Sequence, residues 1–95
     1  MPNLVIIAKI TAAEGQSAAA KAALLELVDP TRKEAGCIQY DFHQDLKNPH
    51  LFYAYEQWET VEHLQAHGKS EHINAMRAKT KGIILSSELS FLNRI

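Results

Sequence analysis

The order of hydrophobic and polar positions predicts strands and helices in turn along the chain. Residues 4–10 are apolar on both alternating faces apart from Lys9, which is typical of a strand covered on both sides. An alanine-rich helix is predicted next, with Ser17 as its N-cap and Pro30 as the point where it kinks or breaks. Its buried face is predicted from helical spacing to consist of Ala20, Leu24, Leu27 and Thr31.

A β-hairpin is predicted in the middle of the chain. Residues 37–45 alternate in the manner of a strand, and the turn residues Asn48 and Pro49 separate them from a second run at residues 51–58. The first strand is expected to place Ile38, Tyr40 and Phe42 on one face and Gln39, Asp41 and His43 on the other.

Two short helices and a final strand complete the pattern. Thr60 and Ser70 are predicted N-caps, and Gly82 follows the second of these helices. Residues 83–95 are predicted to form a strand anchored by Leu89 and Phe91. The order β-α-β-β-α-β, with the second helical layer divided, predicts an α+β fold of the ferredoxin-like type, a four-stranded antiparallel sheet with helices on one face.

Length and charge restrict the possible partners. The chain has 95 residues, which suits a single domain over residues 1–95. Ten basic residues stand against eleven acidic ones, and no segment concentrates basic charge. We therefore expect neither nucleic acid nor an anionic membrane as a partner.

The expected cellular compartment and the prediction of no bound cofactor both follow from motifs that the sequence lacks. It has no segment of membrane-spanning length and no signal-peptide pattern, and Cys37 is its single cysteine, so a cytoplasmic protein is expected. Because Cys37 has no neighbour that would activate its thiol, we expect a structural role for it. No GxGxxG, Walker A or CxxC motif is present, so we predict no bound cofactor.

The apolar character of both sheet faces predicts a homodimer. If helices cover one face, the other would expose an apolar patch larger than monomers usually carry. Covering about 800 Å² on each chain would gain on the order of 20 to 40 kcal/mol, against roughly 4 to 15 kcal/mol for association. We expect two copies to pack sheet to sheet; the alternative is a monomer with an unusually apolar surface.

The histidines are the first candidates for chemistry. His63 and His67 are four residues apart on the predicted short helix, and His72 follows. Three imidazoles could bind zinc, but this spacing without an acidic partner is a weak pattern, and no metal site is predicted. His67, one helical turn beyond Leu64, suits an acid or base near neutral pH. The alternative is a hydrogen-bonded structural histidine.

Aromatic side chains and one glutamate are further candidates. The aromatic residues fall almost wholly on predicted strands, where they either build the core or line an apolar pocket. Trp58, at a strand end just before the helix that carries His67, is the aromatic expected beside a ligand. Glu56 could act as a buried base, but a structural ion pair with Lys9 on the first strand is the preferred interpretation.

The chain resembles the antibiotic biosynthesis monooxygenase (ABM) family, and within it the quinol monooxygenase branch. The likeness is densest at Glu34-Ala35-Gly36-Cys37 with Tyr40, at Tyr55-Glu56-Gln57-Trp58, and at Leu64-x-x-His67 with His72. It extends to Ile7-Ala8-Lys9-Ile10 and Gly15-Gln16. The resemblance implies a dimeric α+β barrel with a pocket between sheet and helices, where a substrate is deprotonated and then reacts directly with O₂.

Carried over by position, the resemblance implies catalytic roles for His67, Trp58 and Tyr40 and a small aromatic substrate. The residues expected to contact substrate are Tyr55, Phe42, Glu56, His72 and Leu64. In haem-degrading relatives the key positions carry an asparagine, a tryptophan and an iron-binding histidine. Here those positions are Ala8, His67 and Arg77, so haem degradation by that route is not expected.

Three functional hypotheses remain open. The leading one is a cofactor-independent monooxygenase that acts on a small quinol or polyphenol. The second is a non-catalytic dimer that binds a small aromatic or stress metabolite. The third is an isomerase or lactone-handling enzyme on the same fold, because a fold alone does not determine function.

Overall fold

The computed structural model describes residues 4–95. The elements are β1 Leu4–Ala12, α1 Ser17–Leu25, α2 Val28–Arg32, β2 Cys37–Gln44, β3 Leu51–Trp58, α3 Val61–Gly68, α4 Glu71–Lys79 and β4 Ile84–Asn93. The strands form one sheet in the order β2-β3-β1-β4, and every neighbouring pair is antiparallel. The predicted ferredoxin-like α+β fold is confirmed, and both helical layers are divided.

Alternation along the two central strands separates a helix-covered face from an open face. The buried positions of β1 under the helices are Ile6, Ala8, Ile10 and Ala12, and those of β3 are Phe52, Ala54, Glu56 and Trp58. The intervening side chains point to the other face, as successive strand residues must. This open face carries Ile7, Tyr53 and Tyr55, which are half-buried, and Lys9, which is exposed.

The first helical layer breaks one turn before the predicted position. Its four predicted inward residues are all buried, but α1 ends at Leu25 and α2 begins at Val28. The reason is that Pro30 has no N–H to donate to the Glu26 carbonyl four residues earlier, and its ring crowds that carbonyl. Pro30 itself fits the first turn of α2, where the missing donor costs little.

The start of β2 departs from simple alternation. Cys37 pairs with Trp58 and Gln39 pairs with Gln57, so Ile38 is an extra residue in a β-bulge. The bulge turns the Ile38 side chain outward, where it is 46 % exposed, and the prediction that it lies on the same face as Tyr40 and Phe42 was wrong.

The predicted anchoring role of Leu89 and Phe91 in β4 was also wrong for the single chain. β4 is an edge strand, and these side chains are 51 % and 59 % exposed. They stand opposite Ala8 and Ile6, which places them on the helix-covered face of the sheet but beyond the reach of the helices.

Two of the three predicted helix caps are present. The Thr60 hydroxyl accepts a hydrogen bond from the backbone N–H of His63, and the Ser70 hydroxyl accepts one from Ile73. Ser17, in contrast, is the first residue of α1, and the preceding Gln16 makes no side-chain cap.

Gly36 fixes the turn that leads from α2 into β2. Its φ of +81° is in the left-handed region, which favours glycine, and a Cβ there would lie 2.2 Å from the Cγ atom of His63. The chain can therefore pass closely beneath α3 at this point, which brings Glu34 next to that helix.

Thr60, which caps α3, and Ser17, which caps no helix, give a matched pair of substitutions. Thr60→Ala removes the acceptor for the His63 N–H, and we expect the free energy of unfolding to fall by about 1 kcal/mol. Ser17→Ala removes no cap and is expected to change it by less than about 0.5 kcal/mol. Urea denaturation of both variants measures the difference; equal losses would contradict the assignment of Thr60 as a cap.

Candidate functional site

A cavity of about 680 Å³ lies between the helix-covered face of the sheet and α1, α3 and α4. Most of its wall is apolar, including Phe42 and Leu64, and it carries a few polar side chains, among them His67, Glu56 and Tyr40. Leu89 and Phe91 line the side towards β4, where their exposure leaves the cavity open to solvent. A cavity of this size with few polar groups is typical of a site for a small organic ligand.

Three side chains that the resemblance singles out meet at one end of this cavity. The His67 ring centroid is 4.9 Å from that of Trp58 and 5.4 Å from that of Tyr40. His67 is in the last turn of α3, and the other two are on the neighbouring strands β3 and β2. The short connection between β3 and α3 brings the helix back over both rings.

Trp58 supports the site from behind rather than lining it. Its side chain is fully buried between Ile6 and Leu64 and is not part of the cavity wall. Its indole Nε1–H donates a 2.9 Å hydrogen bond to Oε1 of Glu56. Trp58 therefore positions Glu56 and His67, whereas the sequence placed it beside the ligand.

Glu56 is a buried carboxyl group in the cavity wall. The predicted ion pair with Lys9 does not form, because Lys9 points to the open face and Glu56 to the helix-covered face. Among residues 4–95, no lysine or arginine makes a salt bridge with Glu56. Burial raises the pKa of Glu56 to about 7, an effect that the Trp58 hydrogen bond partly opposes. Glu56 can therefore both give and accept a proton near neutral pH.

Glu34 is the residue that the sequence interpretation missed. One oxygen of its carboxylate, Oε2, lies 2.6 Å from Nδ1 of His67 and 2.7 Å from Nε2 of His72. The Glu34-Ala35-Gly36-Cys37 segment was part of the resemblance, but no role followed for Glu34. The available signal was the turn glycine at Gly36, whose close approach to His63 of α3 leaves Glu34 within reach of His67 on the same helix.

The protonation of the two cavity rings follows from their surroundings. Burial lowers the pKa of His67, although the Glu34 hydrogen bond acts in the opposite direction. Burial also raises the pKa of Tyr40, so its phenol stays neutral and can donate a hydrogen bond into the cavity.

Two predicted substrate contacts lie elsewhere. Tyr55 points to the open face of the sheet, where its hydroxyl accepts a 3.0 Å hydrogen bond from Nε2 of Gln57. His72 contacts Glu34 and does not line the cavity. Phe42, Glu56 and Leu64 do line the cavity, and their contact with a substrate stays a prediction.

Glu34, His67 and His72 also form a set that could hold a metal ion, because their three ligand atoms lie within 4.8 Å of one another. Ligands at 2.0 to 2.2 Å around a tetrahedral ion would be roughly 3.4 Å apart. The 2.6 and 2.7 Å separations instead match charge-assisted hydrogen bonds. His63, the other histidine considered for zinc, is hydrogen-bonded to Thr60 at 2.8 Å and takes no part.

Comparison with known proteins agrees with this architecture. The family model described as antibiotic biosynthesis monooxygenase matches residues 3–79. The chain belongs to the ABM family. A search of curated proteins found no match.

Solved structures share the fold over nearly the whole chain. PA3566 from Pseudomonas aeruginosa is 39 % identical, with a TM-score of 0.95 over 100 % of this chain and 96 % of that one. Rv0793 from Mycobacterium tuberculosis is 22 % identical, with a TM-score of 0.88 over 98 % and 95 % of the two chains. A crystal structure named antibiotic biosynthesis monooxygenase is 24 % identical, with a TM-score of 0.89 over 97 % and 98 %. The last two show similarity of fold alone.

No helix within residues 4–95 has both the length and the apolar character needed to cross a membrane.

Glu56 predicts a specific dependence of stability on pH. Its pKa is raised from 4.5 to about 7, so between these values the unfolded chain loses a proton that the folded protein keeps. The free energy of unfolding should therefore fall by about 3 kcal/mol as pH rises through this window. Glu56→Gln keeps an acceptor for Trp58 and removes this loss, so its stability relative to the unmodified protein should rise by that amount between pH 4.5 and pH 8.

Urea denaturation at several pH values measures this difference. Glu62→Gln, on the exposed side of α3, is the control and should show no such rise. A constant offset between Glu56→Gln and the unmodified protein across the whole range would contradict the raised pKa.

Proposed function

We propose that this ABM-family protein is a monooxygenase that oxidises a small quinol- or polyphenol-type aromatic with O₂ and needs no bound cofactor. The observation that carries the proposal is the apolar cavity in which an imidazole, a carboxyl group and a phenol converge. A flat aromatic substrate fits its apolar walls, and the three polar groups suit ring hydroxyls.

His67 is proposed to take the proton that starts the reaction. Its Nδ1 is engaged by Glu34, and within residues 4–95 the ring makes its hydrogen bond through that nitrogen and none through Nε2. The ring lines the cavity, so Nε2 is the atom available to a substrate hydroxyl. Burial lowers the pKa of His67 and so favours the neutral imidazole, which is the form that a base requires.

The chemistry needs little more from the protein. A deprotonated quinol can pass an electron to O₂, and the resulting pair combines into a ring-bound peroxide. Cleavage of the O–O bond leaves one oxygen atom in the product and releases the other as water, so a quinol and O₂ give a hydroxyquinone and H₂O. The protein has to orient the ring, hold the transferred proton and limit access of water. Tyr40 is proposed to hydrogen-bond the substrate, and Glu56 to exchange a proton with it.

The role of His67 predicts the behaviour of His67→Ala. With a quinol that the unmodified protein oxidises, we expect kcat for O₂ uptake to fall about 10²- to 10⁴-fold, since a positioned base contributes that much. An oxygen electrode measures uptake, and ¹⁸O₂ labelling should place one labelled atom in the product. His63→Ala, one turn earlier on the same helix and outside the cavity wall, should stay within threefold.

The alternatives give different results in the same assay. A non-catalytic binding protein would bind the aromatic compound saturably with no O₂ uptake across the quinol panel. An isomerase would convert its substrate under anaerobic conditions. Uptake that is unchanged in His67→Ala would remove His67 as the base.

We also propose that two copies pair through their open sheet faces. The half-buried side chains of Ile7, Tyr53 and Tyr55 give this face an apolar centre, and Leu92 on β4 adds a further 40 % exposed apolar side chain. A contact of about 800 Å² per copy is the size that stable dimers usually need.

Ile7→Lys tests the pairing. A lysine at the centre of the face would have to be buried without a partner, so we expect the dimer to separate into monomers at micromolar concentration. Light scattering coupled to size-exclusion chromatography measures the mass. Leu46→Lys, in the fully exposed β2–β3 turn, introduces the same charge and should leave the dimer intact. A monomer in the unmodified protein would contradict the proposal.

A further inference from the structure

We propose that Glu34 is a positioning residue that holds the His67 imidazole with its proton on Nδ1 and its Nε2 lone pair towards the cavity. This inference rests on the proposed function for its kinetic part, whereas the tautomer is a property of the protein alone.

The backbone around Glu34 is fixed from both sides. The Glu34 N–H donates to the Thr31 carbonyl at 3.0 Å, and its own carbonyl accepts from the Cys37 N–H at 3.2 Å. The Gly36 carbonyl accepts from Glu59, just before α3, at 2.9 Å. These main-chain contacts hold the Glu34 backbone beside α3 and do not depend on the imidazoles.

The carboxylate is shared by two imidazoles. The exposed fractions of the three side chains are 8 % for His67, 17 % for Glu34 and 23 % for His72. Among residues 4–95, no lysine or arginine makes a salt bridge with Glu34. Two imidazole N–H groups are therefore what stabilises this partly buried carboxylate.

This contact decides which nitrogen of His67 carries the proton. An ionised carboxylate only accepts hydrogen bonds, so the nitrogen 2.6 Å from it must be the donor. In the neutral ring the other nitrogen, Nε2, then carries the lone pair. A base that faces the cavity needs this tautomer, and the reverse one would present an N–H to the substrate.

The same contact stabilises the ring after it has taken a proton. An imidazolium next to Glu34 forms a charged hydrogen bond, which is stronger than the neutral one it replaces. Burial, His72 and Arg77 act in the opposite sense, since each lowers the pKa of the His67 ring and so disfavours the imidazolium. Glu34 is the contact that favours the imidazolium, and its loss should therefore impair catalysis rather than binding.

Nitrogen-15 NMR of histidine-labelled protein tests the tautomer without substrate. The chain has five histidines, and the spectrum of His67→Gln assigns the His67 signals by their absence. We expect the shifts of neutral His67 in the unmodified protein to show a protonated Nδ1 and an unprotonated Nε2. A protonated Nε2 would overturn the proposal, and this result needs neither an active preparation nor a variant at Glu34.

Kinetics with Glu34→Gln test the consequence. Removing one charged hydrogen bond should lower kcat about 10- to 100-fold with KM changed less than threefold. The acid limb of the pH–rate profile should move to lower pH, because the carboxylate no longer favours the imidazolium. Glu34→Asp, which keeps the charge on a shorter side chain, should recover part of kcat and return the limb towards its original position.

Glu62→Gln is the control for Glu34→Gln. It removes an exposed carboxylate from the same helix as His67 and should change neither kcat nor the pH–rate profile. A lower rate in Glu34→Gln with the acid limb unmoved would mean a purely structural role and would overturn the inference. If no quinol is oxidised at all, the proposed function fails, while the NMR result still decides the tautomer.

Discussion

The two-residue connection between β3 and α3 is the constraint on which the candidate site depends. β3 ends at Trp58 and α3 begins at Val61, so the helix must turn back immediately over the strand it follows. The Glu59 N–H binds the Gly36 carbonyl at 2.9 Å, and Thr60 caps the helix. These contacts fix the end of β3, the start of α3 and the turn after α2 relative to one another. His67, Trp58 and Glu34 meet because their three segments are tied together here.

Much of the fold could be predicted from the sequence because its signals are local. The strand at residues 51–58 and the hydroxyl caps Thr60 and Ser70 depend on signals within a few residues, and these predictions are confirmed. Ile38 was misplaced because a bulge depends on the pairing partner, which alternation within one strand does not reveal. Pro30 was misread by one turn because its effect falls on the carbonyl four residues earlier.

The candidate site was less predictable because its contacts join distant segments. The Glu34–His67 hydrogen bond joins residues 33 positions apart, and no periodic pattern reports such a contact. Glu56 was assigned to Lys9 because adjacent strands offer cross-strand pairs, but the register places the two side chains on opposite faces. Trp58 was expected beside the ligand because it ends the strand just before the helix that carries His67, whereas its fully buried indole packs behind the cavity wall. Residue type indicated which side chains lie near the site, but only the strand register determines which of them face the cavity.

The breaks in both helical layers explain why there is a cavity at all. Helices of eight and nine residues, such as α3 and α4, extend only about 12 to 14 Å, while a strand of ten residues such as β4 extends about 33 Å. The helices therefore cannot cover the whole sheet, and the side of β4 that carries Leu89 and Phe91 is left bare. The space beside the short helices forms an apolar cavity, with Glu56 and Tyr40 held in its wall by the covered part of the sheet and His67 held there by α3. The close packing of the covered half and the open cavity of the uncovered half thus have one structural origin.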